Sequence, residues 1–142
     1  MRIKPKENFW KRIAQTLAAI IASRMIQEIS AVTFAVRDMG RSVEFYLQLG
    51  FELVYSGEHA GFSSLKAGSA YVNLAASPGY EHRWWGRAVF RVDDVDAHYR
   101  MLQMQGLTAD PPQDAPWGER FFHVLDPDGH ELSFAELLPV GY

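Results

Sequence analysis

Glu119, His123 and Glu131 are the side chains best suited to chemistry. Carboxylates and imidazole move protons near neutral pH, provided that the fold brings them to one cavity. No matched acid–base pair is visible in the sequence itself. The other histidines are scattered. His59 falls in an expected hairpin turn, His82 in a long connection, and His98 on the expected exposed side of a helix. His123 and His130 flank a tight turn, where they can pair across a hairpin as packed or surface groups. The chain has no cysteine, which excludes disulfides, thiolate metal sites and cysteine nucleophiles. The second chemical resource is aromatic. Tyr80, Trp84 and Trp85 lie in the long connection, Trp117 precedes a strand, and Phe62 and Phe122 lie on strands. Such rings can stack a flat ligand or hold a cation against their faces. Filling a rim or a subunit contact is the competing role for Trp85 and Trp117.

These residues must be positioned by a single domain, because the chain has only 142 residues. Its main feature is an internal repeat. Phe34-Ala-Val-Arg-Asp-Met39 matches Phe90-Arg-Val-Asp-Asp-Val95, and Gly50-Phe51 matches Gly106-Leu107 in the same register. Each copy predicts a strand (32–36, then 88–92), an aspartate that caps a helix, and a glycine that ends it. Three strands then follow each helix: 52–56, 61–65 and 70–75 in the first copy, and 107–110, 120–125 and 131–135 in the second. Gly57, Ala67-Gly68 and Ser77-Pro78-Gly79 bound those of the first copy. Asp126-Pro-Asp-Gly129 supplies the tight turn before the last strand. The expectation is an α+β domain of two βαβββ modules, about 29–77 and 86–137, within residues 29–142. The sheet faces away from the helices would curve into a cleft.

Residues 1–28 form a separate unit, a helical extension. Trp10, Ile13, Ala14, Leu17, Ile20 and Ile21 recur at helical spacing, opposite Lys11, Arg12, Gln15 and Thr16. The apolar stretch is too short to span a bilayer and too interrupted for a convincing signal peptide. Docking on its own body or on a partner subunit is the preferred reading, and lying on a membrane surface is the alternative. Residues 1–24 hold six basic residues and one acid, whereas residues 25–142 hold eight basic residues and sixteen acids. The acidic body disfavours nucleic acid and favours cationic small molecules. A cytoplasmic location follows by default.

Val36-Arg-Asp-Met-Gly-Arg-Ser-Val-Glu-Phe-Tyr46 with Leu49-Gly-Phe51 resembles the first module of the vicinal oxygen chelate superfamily. That group includes glyoxalase I, extradiol dioxygenases, and fosfomycin- and bleomycin-resistance proteins. Val92-Asp-Asp-Val-Asp-Ala97, Trp117-Gly-Glu-Arg120 and Leu125-Asp-Pro-Asp-Gly-His130 resemble its second module. The resemblance covers about residues 29–137. It implies a homodimer, and in the enzymes a divalent metal held from four strand positions. Those positions here are Ala31, Asn73, Arg87 and Ser133. Alanine offers no ligand atom, arginine repels a cation, and Asn73 and Ser133 are weak neutral donors. No metal and no cofactor are therefore expected.

With Ala31 and Arg87 facing the cleft, Thr33, Ala35, Val89 and Arg91 share that face by strand alternation. Arg87 needs an acid, with Glu119 and Glu131 as candidates, or else an anionic ligand. Arg120 is expected to anchor the loop at Trp117-Gly118. The ligand-binding set expected is Arg87, Asn73, Ser133, Trp84, Trp85, Trp117, Phe62 and Phe122, with no catalytic residue assigned. The functional expectation is a metal-free small-molecule-binding protein of the bleomycin-resistance type, holding an antibiotic or another aromatic or cationic ligand. The alternatives are a lyase, isomerase or dioxygenase of the same superfamily with a displaced or absent metal, and an interaction module that recruits a partner through the first helix.

Overall fold

The computed structural model describes residues 5–56 and 59–139. The turn expected at Gly57 lies outside the described residues. The elements are α1 (Pro5–Met25), β1 (Ala31–Val36), α2 (Met39–Gln48), β2 (Glu52–Tyr55), β3 (Phe62–Ala67), β4 (Ala70–Ala76), β5 (Arg87–Arg91), α3 (Val95–Met104), β6 (Gln113–Ala115), β7 (Glu119–Leu125) and β8 (Glu131–Leu137). They build two mixed four-stranded sheets, ordered β1-β4-β3-β2 and β5-β8-β7-β6. This is the expected α+β fold of two βαβββ modules behind an N-terminal helix.

The repeat holds in three dimensions. Helices α2 and α3 begin at the equivalent residues Met39 and Val95, and end at the equivalent residues Gln48 and Met104. Asp38 caps α2 by accepting from the Arg41 amide at 3.1 Å, and Asp94 caps α3 by accepting from Ala97 at 3.0 Å. Gly50 and Gly106 follow the helices at positive φ, where a Cβ would be strained. Alternation sorts the strands, except that β8 is buried on both faces from Leu132 to Ala135. Phe34, Val36, Val72, Leu74, Leu132 and Phe134 are buried under the helices. Together with Val43, Tyr46, Leu102 and Phe122 they form one core that joins both modules. The opposite sheet faces remain open, with Val89 58% exposed.

Three expectations about elements are corrected. Residues 107–110 form no strand. Leu107 and Ala109 pack against the core as irregular chain, and the short strand comes after Pro111-Pro112, at Gln113–Ala115. Prolines cannot donate to a ladder, so pairing with β7 starts only beyond them. Second, α1 does not dock on its own body. Phe9, Trp10, Leu17, Ile20 and Ile21 are all exposed. Third, Phe122 is a core residue, only 1% exposed, and is not available to a ligand in the cleft.

Candidate functional site

Strand register decides which side chains share the open faces. In the first sheet Thr33, Asn73 and Ser64 lie in one row. Ser64 Oγ donates to Asn73 Oδ1 at 2.6 Å, and Asn73 Nδ2 reaches Thr33 Oγ1 at 3.4 Å. Ala31 and Phe62 share this face, one row to either side. In the second sheet the matching row is Val89, Ser133 and His123, and His123 Nδ1 is hydrogen-bonded to Ser133 Oγ. The next row joins Arg87 to Glu131, where Arg87 Nε donates to Glu131 Oε2 at 2.8 Å. Trp84 Nε1 donates to the same oxygen at 3.2 Å. Of the two acids expected for Arg87, Glu131 is the one used.

On the second sheet a small cavity of about 130 Å³ is lined by Arg87, Val89, Trp117, Phe121, His123 and Ser133, among others. Glu119 also lines it. On its flank, Asp110, His123 and Glu131 line a more open cavity of about 430 Å³. His123 therefore contributes to both, while Glu119 and Glu131 are divided between them. Burial, and secondly the Arg87 charge, push the His123 pKa down, opposed by Glu131 and Asp110. Burial would raise the Glu131 pKa, but the hydrogen bonds from Trp84 and Arg87 outweigh it and hold the carboxyl low. At neutral pH the floor is a neutral imidazole beside a charge-compensated pair.

The aromatic set divides. Trp117 stacks on Phe121 with ring planes 14° apart and is 69% exposed, so one of its faces is open. Trp84 is exposed above the Arg87–Glu131 pair. Trp85 belongs to the junction between the modules, where its Nε1 donates to His130 Nδ1 at 2.8 Å and its ring lies against Phe34. Phe121 was missed in the sequence, although parity reveals it. If Ser133 faces the cleft, its partner His123 does too, and so does Phe121 two residues away. The same parity turns Phe122 inward to the core.

The remaining histidine and arginine expectations change as well. His123 pairs with Ser133 and not with His130. His130 is buried, with Nε2 on the Ala35 carbonyl oxygen at 2.8 Å. An indole N–H can only donate, so His130 Nδ1 accepts from Trp85 and Nε2 carries the proton. His98 is not on an exposed face: its ring stacks on Phe134 with centroids 4.4 Å apart. Arg120 makes two bonds to Asp96, at 3.0 Å each, and one to Asp114 at 2.9 Å. It thereby ties β7 to α3 and β6.

The four metal positions implied by the resemblance do not fit a divalent ion. Ala31 has no donor, Arg87 is cationic and paired, Asn73 Oδ1 already accepts from Ser64, and Ser133 is engaged by His123. Among the described residues Asp94, Asp96 and Glu136 also converge, but Asp94 caps α3 and Asp96 is held by Arg120. No described helix is long and apolar enough to cross a membrane.

The structure of a bleomycin-binding protein complexed with bleomycin is 25% identical, with a TM-score of 0.65, covering 78% of this chain and 98% of that one. A bleomycin resistance determinant encoded on the transposon Tn5 is 25% identical over the same shares, with a TM-score of 0.68. The fosfomycin resistance protein FosX from Listeria monocytogenes shares the fold at 17% identity and a TM-score of 0.64, covering 78% of this chain and 93% of that one. No curated protein sequence matches the chain. The model of the Glyoxalase/Bleomycin resistance protein/Dioxygenase superfamily matches residues 28–134, and the chain belongs to that superfamily.

Proposed function

We propose that this protein binds a small organic ligand without a metal, in the manner its bleomycin-binding relatives suggest, and performs no chemistry on it. One observation carries this reading: every position at which the family would hold a metal is apolar, cationic or already hydrogen-bonded to a neighbour. The open faces support a ligand with a flat, apolar part. Trp117 and Phe62 offer exposed rings, and Asn73 and Arg87 offer polar contacts at the floor, whereas Ser133 is buried under His123. The acidic body favours a cationic or zwitterionic ligand over a polyanion.

Each chain leaves both concave faces open, and a shallow face buries little of a drug-sized ligand. A homodimer that apposes the first sheet of one copy to the second sheet of the other would enclose it. We include that assembly, and a cytoplasmic setting, in the proposal.

The test combines metal analysis with binding. Untagged protein is incubated with nickel, zinc, manganese or iron, desalted, and measured by inductively coupled plasma mass spectrometry. Metal-free bleomycin is then titrated while tryptophan fluorescence is followed, in wild type and in Trp117→Ala. Substoichiometric metal, together with a saturable response weakened roughly tenfold in the variant, supports the reading. Near one equivalent of metal, lost in His123→Ala or Glu131→Gln, would overturn it in favour of an enzyme.

A further inference from the structure

The two modules meet at two junctions related by the repeat, and these junctions are filled differently. At the first, the turn between β7 and β8 reaches over α2. This turn is long, because Leu125 pairs with Glu131 and all of Asp126 to His130 lies between them. Its Asp128 is buried and accepts from the Arg37 amide at 3.1 Å, from Arg37 Nε at 2.8 Å and from Ser42 Oγ at 3.3 Å. Asp126 accepts from Tyr46 beside it. The chain thus places its own carboxylates in this notch.

At the second junction the matching turn, between β3 and β4, is only Gly68-Ser69, because Ala67 pairs directly with Ala70. Among the described residues no carboxylate lines the notch over α3. Instead there is a cavity of about 390 Å³. Its lining includes Phe51, Phe90 and Phe134 as apolar surface and Lys66, Arg91 and His98 as polar groups. His98 is the repeat equivalent of Ser42, each being the fourth residue of its helix. Where Ser42 bonds to Asp128, His98 Nε2 is buried and meets no side-chain hydrogen-bond partner among the described residues. Neither Lys66 nor Arg91 forms an ion pair among the described residues. Glu28 accepts from Ser69 beside the cavity, and Glu52 lies opposite Lys66 in the β2–β3 ladder.

We propose that this cavity is a second ligand site, sharing no lining residue with the cavities on the second sheet, for a small organic anion: a carboxylate on an aromatic or branched apolar stem. The ligand's carboxylate takes the role that Asp128 plays at the other junction, and its stem lies on the phenylalanines. The described lining holds Lys66 and Arg91 and no acid, which gives the charge preference, and the cavity volume is ample for a substituted aromatic ring. The inference rests on the internal repeat and stands whether or not the cleft binds a ligand.

Sodium benzoate is the probe, with benzamide as its neutral counterpart. Isotopically labelled full-length protein is titrated with each while amide and histidine-ring resonances are followed. Benzoate is expected to shift Phe90, Val92 and the His98 ring saturably, with benzamide roughly tenfold weaker. In the Lys66→Gln/Arg91→Gln double variant, whose changes are both on exposed side chains, benzoate should also bind roughly tenfold more weakly. The proposal is overturned by the absence of saturable shifts at these residues up to about 20 mM benzoate. It is equally overturned by unchanged affinity in the double variant, or by shifts confined to Arg87 and Trp117.

Discussion

Tyr46 and Asp126, far apart in the chain, are joined by a buried hydrogen bond of 2.9 Å that links one module's helix to the other module's turn. Asp126 Oδ1 meanwhile accepts from the amides of Asp128 and His130, so one carboxylate organises the whole turn. Burial raises the tyrosine pKa, and the adjacent Asp126 adds to it, which keeps the hydroxyl a donor. Replacing Tyr46 with Phe removes that donor and leaves a buried carboxylate oxygen unsatisfied. The expected cost is about 2 kcal/mol, read from urea unfolding. A cost under about 0.5 kcal/mol would mean that the turn does not depend on this bond.

Gly129 ends the same turn at φ 95°, and a Cβ there would sit 2.9 Å from the His82 ring. Gly129→Ala therefore combines a strained backbone with a clash that only a shift of His82 relieves. A loss of about 2 kcal/mol is expected. Adding His82→Ala should recover the steric part of that loss, and a double variant no more stable than the single one would refute the clash.

Acid should weaken the fold through two histidines. Burial lowers the pKa of His98, opposed only by its bond to the Leu49 backbone, and burial followed by Arg87 lowers that of His123. A folded-state pKa below the unfolded one gives stability that is complete above the ordinary value of 6.5 and is lost as pH falls below it. Asp126 acts in the opposite sense. Burial raises its pKa above the ordinary 3.8, so its contribution grows as pH falls toward that value. The expected profile is a decline in Tm below pH 6.5 that flattens at lower pH. His98→Phe keeps the ring contact with Phe134 and should show a shallower decline. Parallel profiles for the two proteins would remove His98 from the account.

Deleting residues 1–24 should leave the body intact, because Phe9, Trp10, Leu17, Ile20 and Ile21 are exposed and no described residue of α1 belongs to the core. Tm is expected to stay within about 2 °C of the full chain. Sedimentation velocity on the same pair of proteins reports whether the helix contributes to an assembly: a lower association state in the truncated chain places it there, and an unchanged one does not.

The repeat that maps Phe34 onto Phe90, the two capping aspartates and the Asp126–Gly129 turn were legible because each is a local requirement, met by residue type within a few positions. From them follow the order of elements and the two modules, whereas the four metal positions are what the family resemblance implies. Parity along β7 would also have separated Phe121 from Phe122 once Ser133 was fixed. The sequence leaves Arg87 a choice of Glu119, Glu131 or an anionic ligand, and the strand register pairs it with Glu131.

Other features depend on contacts between distant segments. Nothing near His98 in the chain announces that it stacks on Phe134, and nothing near Trp85 shows that its indole is spent on His130. The short strand after Pro111-Pro112 exists because β7 offers it a partner, while the apolar run before the prolines is drawn into the core. The contrast between the filled and empty junctions depends on two turns of different length packing over two equivalent helices. Local residue type determined the modules. Only their packing decided which polar groups are satisfied and which face an open cavity, because hydrogen-bond satisfaction is a property of partners and not of position in the chain.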